Sequence, residues 1–176
     1  IQSHNIINAS GLNARKVAQS IDQMKNTLIP KLFFNKGSYF SMSGPAPFKH
    51  LIYPLPKINS LGIHYCLNVE GIPRFGPDHE WVKEIDYSVS LEKKTQFIES
   101  IKKYWPGIKD TILRPDYAGI RPSINTKSQH SNDFIIQTKQ QHGIKGLINL
   151  FGIESPGLTA ALAIAQFVNH LLDQPN

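Results

Sequence analysis

The segment Gly146–Thr159, GLINLFGIESPGLT, constrains this chain more than any other. An apolar run drops into a glycine-bounded turn, and Ser155-Pro156 then heads an Ala-rich helical stretch. Ser155 suits an N-cap, because its hydroxyl can accept from an unpaired amide of the first turn. Pro156 suits the first helical position, where a missing N–H costs nothing. The exposed amides and positive dipole end of such a helix favour an anion or an electron-rich ring. No GxGxxG or GxxxxGK[ST] occurs in the chain, so the turn predicts half of a cofactor site. The competing reading is an ordinary capped helix that packs through Leu158, Leu162, Ala165 and Leu172.

The beginning of the chain has a related pattern. His4–Ala9 predicts a short strand, Ser10-Gly11 a turn, and Leu12, Val17, Ile21 and Met24 the buried face of a helix. Between the two ends the pattern changes. Leu28–Phe40 predicts strand material broken by a turn or bulge at Asn35-Lys36-Gly37, and Ser43–Pro47 a loop. A short strand is expected over His50–Leu55. Ile63–Leu67 and Gly71–Phe75 flank a hairpin turn at Asn68-Val69-Glu70-Gly71. A helix from Ser90 with Leu91, Phe97, Ile98, Ile101, Tyr104 and Trp105 inward ends at Pro106-Gly107. Ile112–Ile124 predicts an extended run interrupted at Arg114-Pro115-Asp116, and Asn125–Asn132 a polar loop. Phe134–Ile136 predicts a strand, Gln140–Gly143 a turn, and Ile144–Leu150 the final strand. The class is α+β: a mixed, largely antiparallel sheet with helices, plus end segments of an α/β domain whose main body is absent. The expected boundaries are residues 1–27, 28–120 and 121–176.

At 176 residues, with 40% hydrophobic and 18% charged content, the chain can bury a proper core. Its first residue is Ile1, no signal-like segment follows, and a fragment or processed product is expected. The lone Cys66 excludes an intramolecular disulfide and points to a reducing, cytoplasmic compartment, with peripheral attachment to a membrane left open. The net charge of +6 is spread among interleaved acids, as in Glu92-Lys93-Lys94, which predicts solvated faces rather than a nucleic acid partner. The apolar run Leu158–Leu172, interrupted by Gln166, Asn169 and His170, is too short and polar for an integral membrane segment. The histidines show no paired ligand spacing, so no metal is expected. Asp78-His79-Glu80 is a tempting triplet, but neighbours on an extended chain point in opposite directions. No GxSxG supports a nucleophilic serine, and Cys66 suits an inert, buried thiol.

Arg121 stands in an apolar run, where an unpaired guanidinium is costly to bury. Its planar fork suits bidentate capture of a carboxylate, and a salt bridge to Asp116 or Asp133 is the alternative. His64 lies in a predicted strand as a proton acceptor or a structural histidine. Tyr53 offers a hydrogen bond to a carboxylate, or is simply a buried tyrosine with a satisfied hydroxyl.

Gly152-Ile153-Glu154-Ser155-Pro156-Gly157-Leu158-Thr159 resembles the C-terminal flavin-binding segment of the D-amino-acid oxidase class of FAD-dependent oxidoreductases. Tyr53-Pro54-Leu55-Pro56, Gly62-Ile63-His64, and Gly71 with Gly76-Pro77 are similar to its L-2-hydroxyglutarate dehydrogenase branch. Asn8-Ala9-Ser10-Gly11-Leu12 resembles the segment where such chains return to the flavin domain. Tyr117-Ala118-Gly119-Ile120-Arg121-Pro122 leans towards glycine oxidase relatives, from which Ser123-Ile124-Asn125 departs. The resemblance covers the C-terminal part of a family member. It implies residues 1–27 and 121–176 as flavin-domain pieces and 28–120 as substrate domain. It implies FAD contacts at Gly11 and across Gly152, Ile153, Glu154, Ser155, Pro156, Gly157, Leu158 and Thr159. It implies Arg121 and Tyr53 at a small carboxylate substrate, with Arg121 and His64 as the catalytic pair. The expected parent oxidises an L-2-hydroxyglutarate-like 2-hydroxy acid to a 2-oxo acid and passes electrons to a quinone or oxygen. Amine oxidation on the same scaffold and a non-catalytic interaction remnant are the alternatives. The chain alone is expected to be inactive and to retain little FAD, because the glycine-rich turn that holds the pyrophosphate is missing.

Overall fold

The computed structural model describes residues 2–55, 62–109, 113–124 and 133–173. Its elements are mixed α/β with few helices and a largely antiparallel larger sheet, and they divide into two units. One comprises residues 1–34 and 121–176, the other residues 35–120. The loop expected over Asn125–Asn132, together with Pro56 and Ile112, lies outside the described residues.

The discontinuous unit is built on a three-stranded sheet in the order β1-β8-β7. Strand β1 (Ile6–Asn8) runs parallel to β8 (Leu147–Phe151), with Ile7 opposite Ile148. Strand β7 (Ile135–Gln137) pairs antiparallel on the other side of β8. Every residue of β8 is buried, as a strand covered on both faces must be. On one face Phe151 joins Ala14, Ala18, Met24, Ile29 and Ile124. On the other, Ile148 and Leu150 meet Val168, Ile164 and Leu171 of the last helix.

Helix α1 (Ala14–Gln19) follows a 3-10 turn over Gly11–Asn13 and is shorter than the periodicity predicts. Its buried face is Ala14 and Ala18, while Val17 is exposed. Small residues let the helix lie close to β8. The side-chain amide Nδ2 of Asn8, itself buried, donates to Asn149 Oδ1 at 2.9 Å and to the Ala14 carbonyl at 2.9 Å, fixing strand to helix.

The contiguous unit carries a five-stranded sheet in the order β3-β4-β2-β5, with β6 also pairing β2. Strand β2 (Phe33–Met42) runs without the expected break at Asn35-Lys36-Gly37. Its polar residues are buried with partners: Asn35 meets the His79 ring, Lys36 pairs with Asp86 at 3.0 Å, and the Ser38 amide donates to Asp78 at 2.6 Å. Strands β3 (Tyr65–Leu67) and β4 (Pro73–Phe75) form the expected hairpin. Asn68 Oδ1 accepts from the Glu70 and Ile72 amides and so closes the turn. Of the strand expected over His50–Leu55, a single bridge between Ile52 and Tyr65 forms.

Strand β5 (Glu80–Val82) precedes helix α2 (Lys94–Lys102), which opens through a 3-10 turn whose Ser90 hydroxyl accepts from the Glu92 amide. Phe97, Ile98 and Ile101 drive α2 into a core with Phe40, Tyr65 and Phe75, whereas Leu91 stays exposed. Strand β6 (Leu113–Ser123) is uninterrupted across Arg114-Pro115-Asp116. The turn expected at Gln140–Gly143 closes into a single helical turn, α3 (Lys139–His142), held by a Thr138–Gln141 capping box.

Candidate functional site

The expected start of the last helix needs correction. Helix α4 spans Ala161–Asp173, and Ser155–Ala160 is a series of turns. The Gly157 amide donates back to the Glu154 carbonyl at 2.5 Å, and the Ala160 amide to Pro156 at 3.0 Å. The chain therefore curls on itself after Pro156, and Ser155 lies exposed well ahead of the helix rather than capping it. A side chain at Gly157 would bring Cβ within 2.6 Å of both the Glu154 carbonyl and Ile153, so only glycine closes this turn. The peptide before Pro156 is cis. The alternative packing face also fails in part: Leu158 and Leu162 are 93% and 83% exposed, and α4 packs through Ile164, Val168, Leu171 and Leu172.

The turn, the end of β1 and one face of α4 enclose an apolar groove of about 520 Å³. Ile7, Ala9 and Gly11 form one wall, Leu150, Ile153 and Gly157 the floor, and Ala161, Ile164, Ala165 and Val168 the other wall. Of the residues expected at the cofactor, Gly11, Ile153 and Gly157 are thus brought to one cavity from opposite ends of the chain. Gly152 is buried beneath it, packed on Ile124, and Leu158 and Thr159 point to solvent from the turn. The chemistry of the lining suits a flat apolar ring. Phosphates need N–H or cationic donors, and the groove's lining offers no cationic side chain.

In the contiguous unit, His64 and Tyr53 stack with centroids 4.3 Å apart and planes at 28°. Tyr53 is 65% exposed, so it is not the buried tyrosine that the sequence allowed. His64 immediately precedes the strand that carries Cys66, on the same sheet face, and its carbonyl accepts from the Gly76 amide at 3.0 Å. On that face Cys66 stands opposite Arg74, and Arg74 opposite Ser41. Arg74 Nε lies 2.5 Å from Asp116 Oδ2, and its guanidinium carbon 5.0 Å from the centre of the Tyr117 ring. Tyr117 stacks on Tyr39 at 4.5 Å with planes only 6° apart.

Asp116 is therefore the partner of Arg74, where the sequence offered it to Arg121. Arg121 itself is half-buried at the point where β6 re-enters the discontinuous unit. Burial pushes the Cys66 thiol above its ordinary value; Arg74 works against that shift and Asp116 adds to it. Such a thiol is a poor nucleophile at neutral pH.

Sequence reasoning missed the Arg74–Tyr117–Tyr39 ladder and a second cluster. Lys93 Nζ reaches Asp78 at 2.7 Å, Glu80 at 2.5 Å and the Ser38 hydroxyl at 3.1 Å. Burial lowers the Lys93 pKa, but the two carboxylates outweigh it and hold the ammonium above its usual value. Asp78 and Glu80 thus turn one way and His79 the other, towards Asn35. The cluster ties the head of α2 to the sheet. Among the described residues no group of His, Cys, Asp or Glu is arranged to hold a metal, and no helix is long and apolar enough to cross a membrane.

The DAO family, FAD dependent oxidoreductase, matches residues 1–171. The mitochondrial L-2-hydroxyglutarate dehydrogenase of Arabidopsis thaliana is 39% identical over 175 residues, covering 93% of this chain and 36% of that protein. A glycerol 3-phosphate dehydrogenase of Caloramator mitchellensis is 26% identical over 170 residues, covering 95% of this chain and 33% of that protein. The chain therefore spans about a third of the length of these curated relatives. In fold it is similar to the dithionite-reduced, FAD-bound L-alpha-glycerophosphate oxidase of Mycoplasma pneumoniae. That match has a TM-score of 0.76 at 22% identity, over 97% of this chain and 43% of that one. The chain belongs to the DAO family of FAD-dependent oxidoreductases.

Proposed function

We propose that this chain supplies the C-terminal flavin-contacting and substrate-binding parts of an enzyme that oxidises a 2-hydroxy acid to a 2-oxo acid. The observation that carries the reading is the groove that gathers Gly11, Ile153 and Gly157 from the two ends of the chain. Its apolar walls would hold one side of a planar ring, and the absence of a side chain at Gly157 lets the turn close beneath it. When bound, FAD supplies a two-electron acceptor for the hydride leaving the substrate carbon. Arg121 would hold the α-carboxylate through its planar fork, and His64, steadied by the Tyr53 ring, would take the hydroxyl proton. A small carboxylate is thus the substrate, and a quinone or oxygen the final electron acceptor.

The named dehydrogenases among the relatives, of L-2-hydroxyglutarate and of glycerol 3-phosphate, both favour a secondary alcohol over an amine as the reacting group. The test is anaerobic bleaching of the flavin in the intact longer protein. L-2-Hydroxyglutarate should bleach it, whereas glycine and D-alanine should leave it oxidised. Bleaching by the amino acids alone would replace this reading with amine oxidation.

A further inference from the structure

We propose that Arg74 is a specificity-determining residue that binds the distal carboxylate of a 2-hydroxy dicarboxylic acid of glutarate length; this rests on the 2-hydroxy acid reading above. Arg74 and His64 lie on one face of the same hairpin. Cys66 is the direct cross-strand partner of Arg74, so His64, two residues earlier, is its diagonal neighbour at roughly 7–8 Å. Gly76 stands opposite His64, its amide donates to the His64 carbonyl, and the Tyr39 ring packs on it where a side chain would be. Cys66 and Ser41 flank Arg74 with small side chains. The path from His64 to Arg74 therefore runs past Cys66, alongside the Tyr39 ring. A hydroxyl at His64 and a carboxylate two methylenes further along would span from one residue to the other.

The guanidinium is held for such a task. Asp116 forms an ion pair with it beside Nε, Tyr117 lies against its face, and Tyr39 backs Tyr117 in turn. The pair is neither sealed nor free, with side chains 28% and 21% exposed. The Nη edge remains for a second, planar acceptor. Because Asp116 balances the charge, recognition here depends on the orientation of the fork more than on a positive field. That favours a carboxylate met edge to edge.

The test uses the intact holoenzyme and compares L-2-hydroxyglutarate with L-2-hydroxyvalerate, which keeps the chain length but lacks the distal carboxylate, and with glycerol 3-phosphate. Wild type should prefer the dicarboxylate. Arg74→Met should reduce that preference by about 10- to 100-fold, through KM rather than kcat, as expected for loss of a charge-assisted pair. Arg74→Lys, which keeps the charge and the stem but not the fork, should recover only part of it and serves if the methionine variant does not fold. An equal rise in KM for the dicarboxylate and the monocarboxylate would overturn the inference, and so would a wild type that does not distinguish them; neither touches the 2-hydroxy acid reading. A preference for glycerol 3-phosphate that Arg74→Met abolishes would also overturn it, by making the anion a phosphate. If no 2-hydroxy acid bleaches the flavin, that reading falls separately. Competitive inhibition by glutarate over valerate, and its loss in Arg74→Met, then decides whether the carboxylate site exists.

Discussion

His142 shows how a single buried side chain sets a condition on the fold. Its Nδ1 accepts from the Ile144 amide at 3.1 Å, so the imidazole must keep that nitrogen unprotonated. Burial holds its pKa below the ordinary histidine value, and backbone carbonyls at Gln137 and Leu147 only partly offset this. The unfolded chain therefore binds the proton more readily than the folded one. The stabilisation is complete above about pH 6.5 and is lost as pH falls towards the lower folded-state value. Thermal unfolding between pH 7.5 and 5 should show a steeper fall in Tm for the wild type than for His142→Gln, which cannot titrate. Parallel curves would remove His142 from the account of acid sensitivity. The Arg74–Asp116 pair belongs to the same scale and was invisible in the sequence. Forty-two positions separate its members, and only strand pairing brings them to one face. His64, Tyr53 and Gly157 were singled out because each stands in a local motif, whereas a cross-strand ion pair has no local signature.

Gly146 does for an element what His142 does for a residue. It carries φ +76°, its carbonyl accepts from the Ile6 amide at 2.7 Å, and a Cβ there would run into the His4 backbone. Gly146→Ala should therefore push β1 off β8 and cost about 2–4 kcal/mol, from backbone strain and overpacking together. Gly119→Ala, in open space on β6, should lie within about 0.5 kcal/mol of wild type. Urea unfolding of the two variants gives the comparison, and equal midpoints would discard the steric argument. The elements the sequence announced best are those specified by their own residues: the Asn68 hairpin, α2 with the Ser90-capped 3-10 turn that opens it, and β8. Strand β2 was expected to break at Asn35-Lys36-Gly37 because its polar run looks like a turn. The partners that let it run through, His79, Asp78 and Asp86, lie on a distant stretch of chain. The start of α4 was misplaced for the opposite reason. Ser155-Pro156 is a good local helix signal, but the return of the Gly157 amide to Glu154 outcompetes it.

At the scale of the whole molecule, the two units differ in how well each covers its own apolar surface. The contiguous unit closes its sheet around Phe40, Tyr65, Phe75 and Phe97, all fully buried. Among the described residues the discontinuous unit has a parallel pair, β1 and β8, in a sheet of three strands, whereas parallel strands ordinarily sit inside larger sheets with both faces covered. Ile6, Ile7, Leu158, Leu162 and Phe167 of this unit stand exposed, and Ile7 lines its groove. The groove of this unit is apolar, and the chain carries no glycine-rich phosphate turn. The 176-residue chain should consequently purify colourless, bind an apolar dye such as ANS at the groove, and quench the fluorescence of added FAD only weakly. The intact longer protein should carry flavin in stoichiometric amount and bind much less dye. Recovery of the 176-residue chain with one flavin per molecule would mean that the groove and turn suffice for the whole dinucleotide, and the dependence of FAD retention on a glycine-rich turn would have to be abandoned.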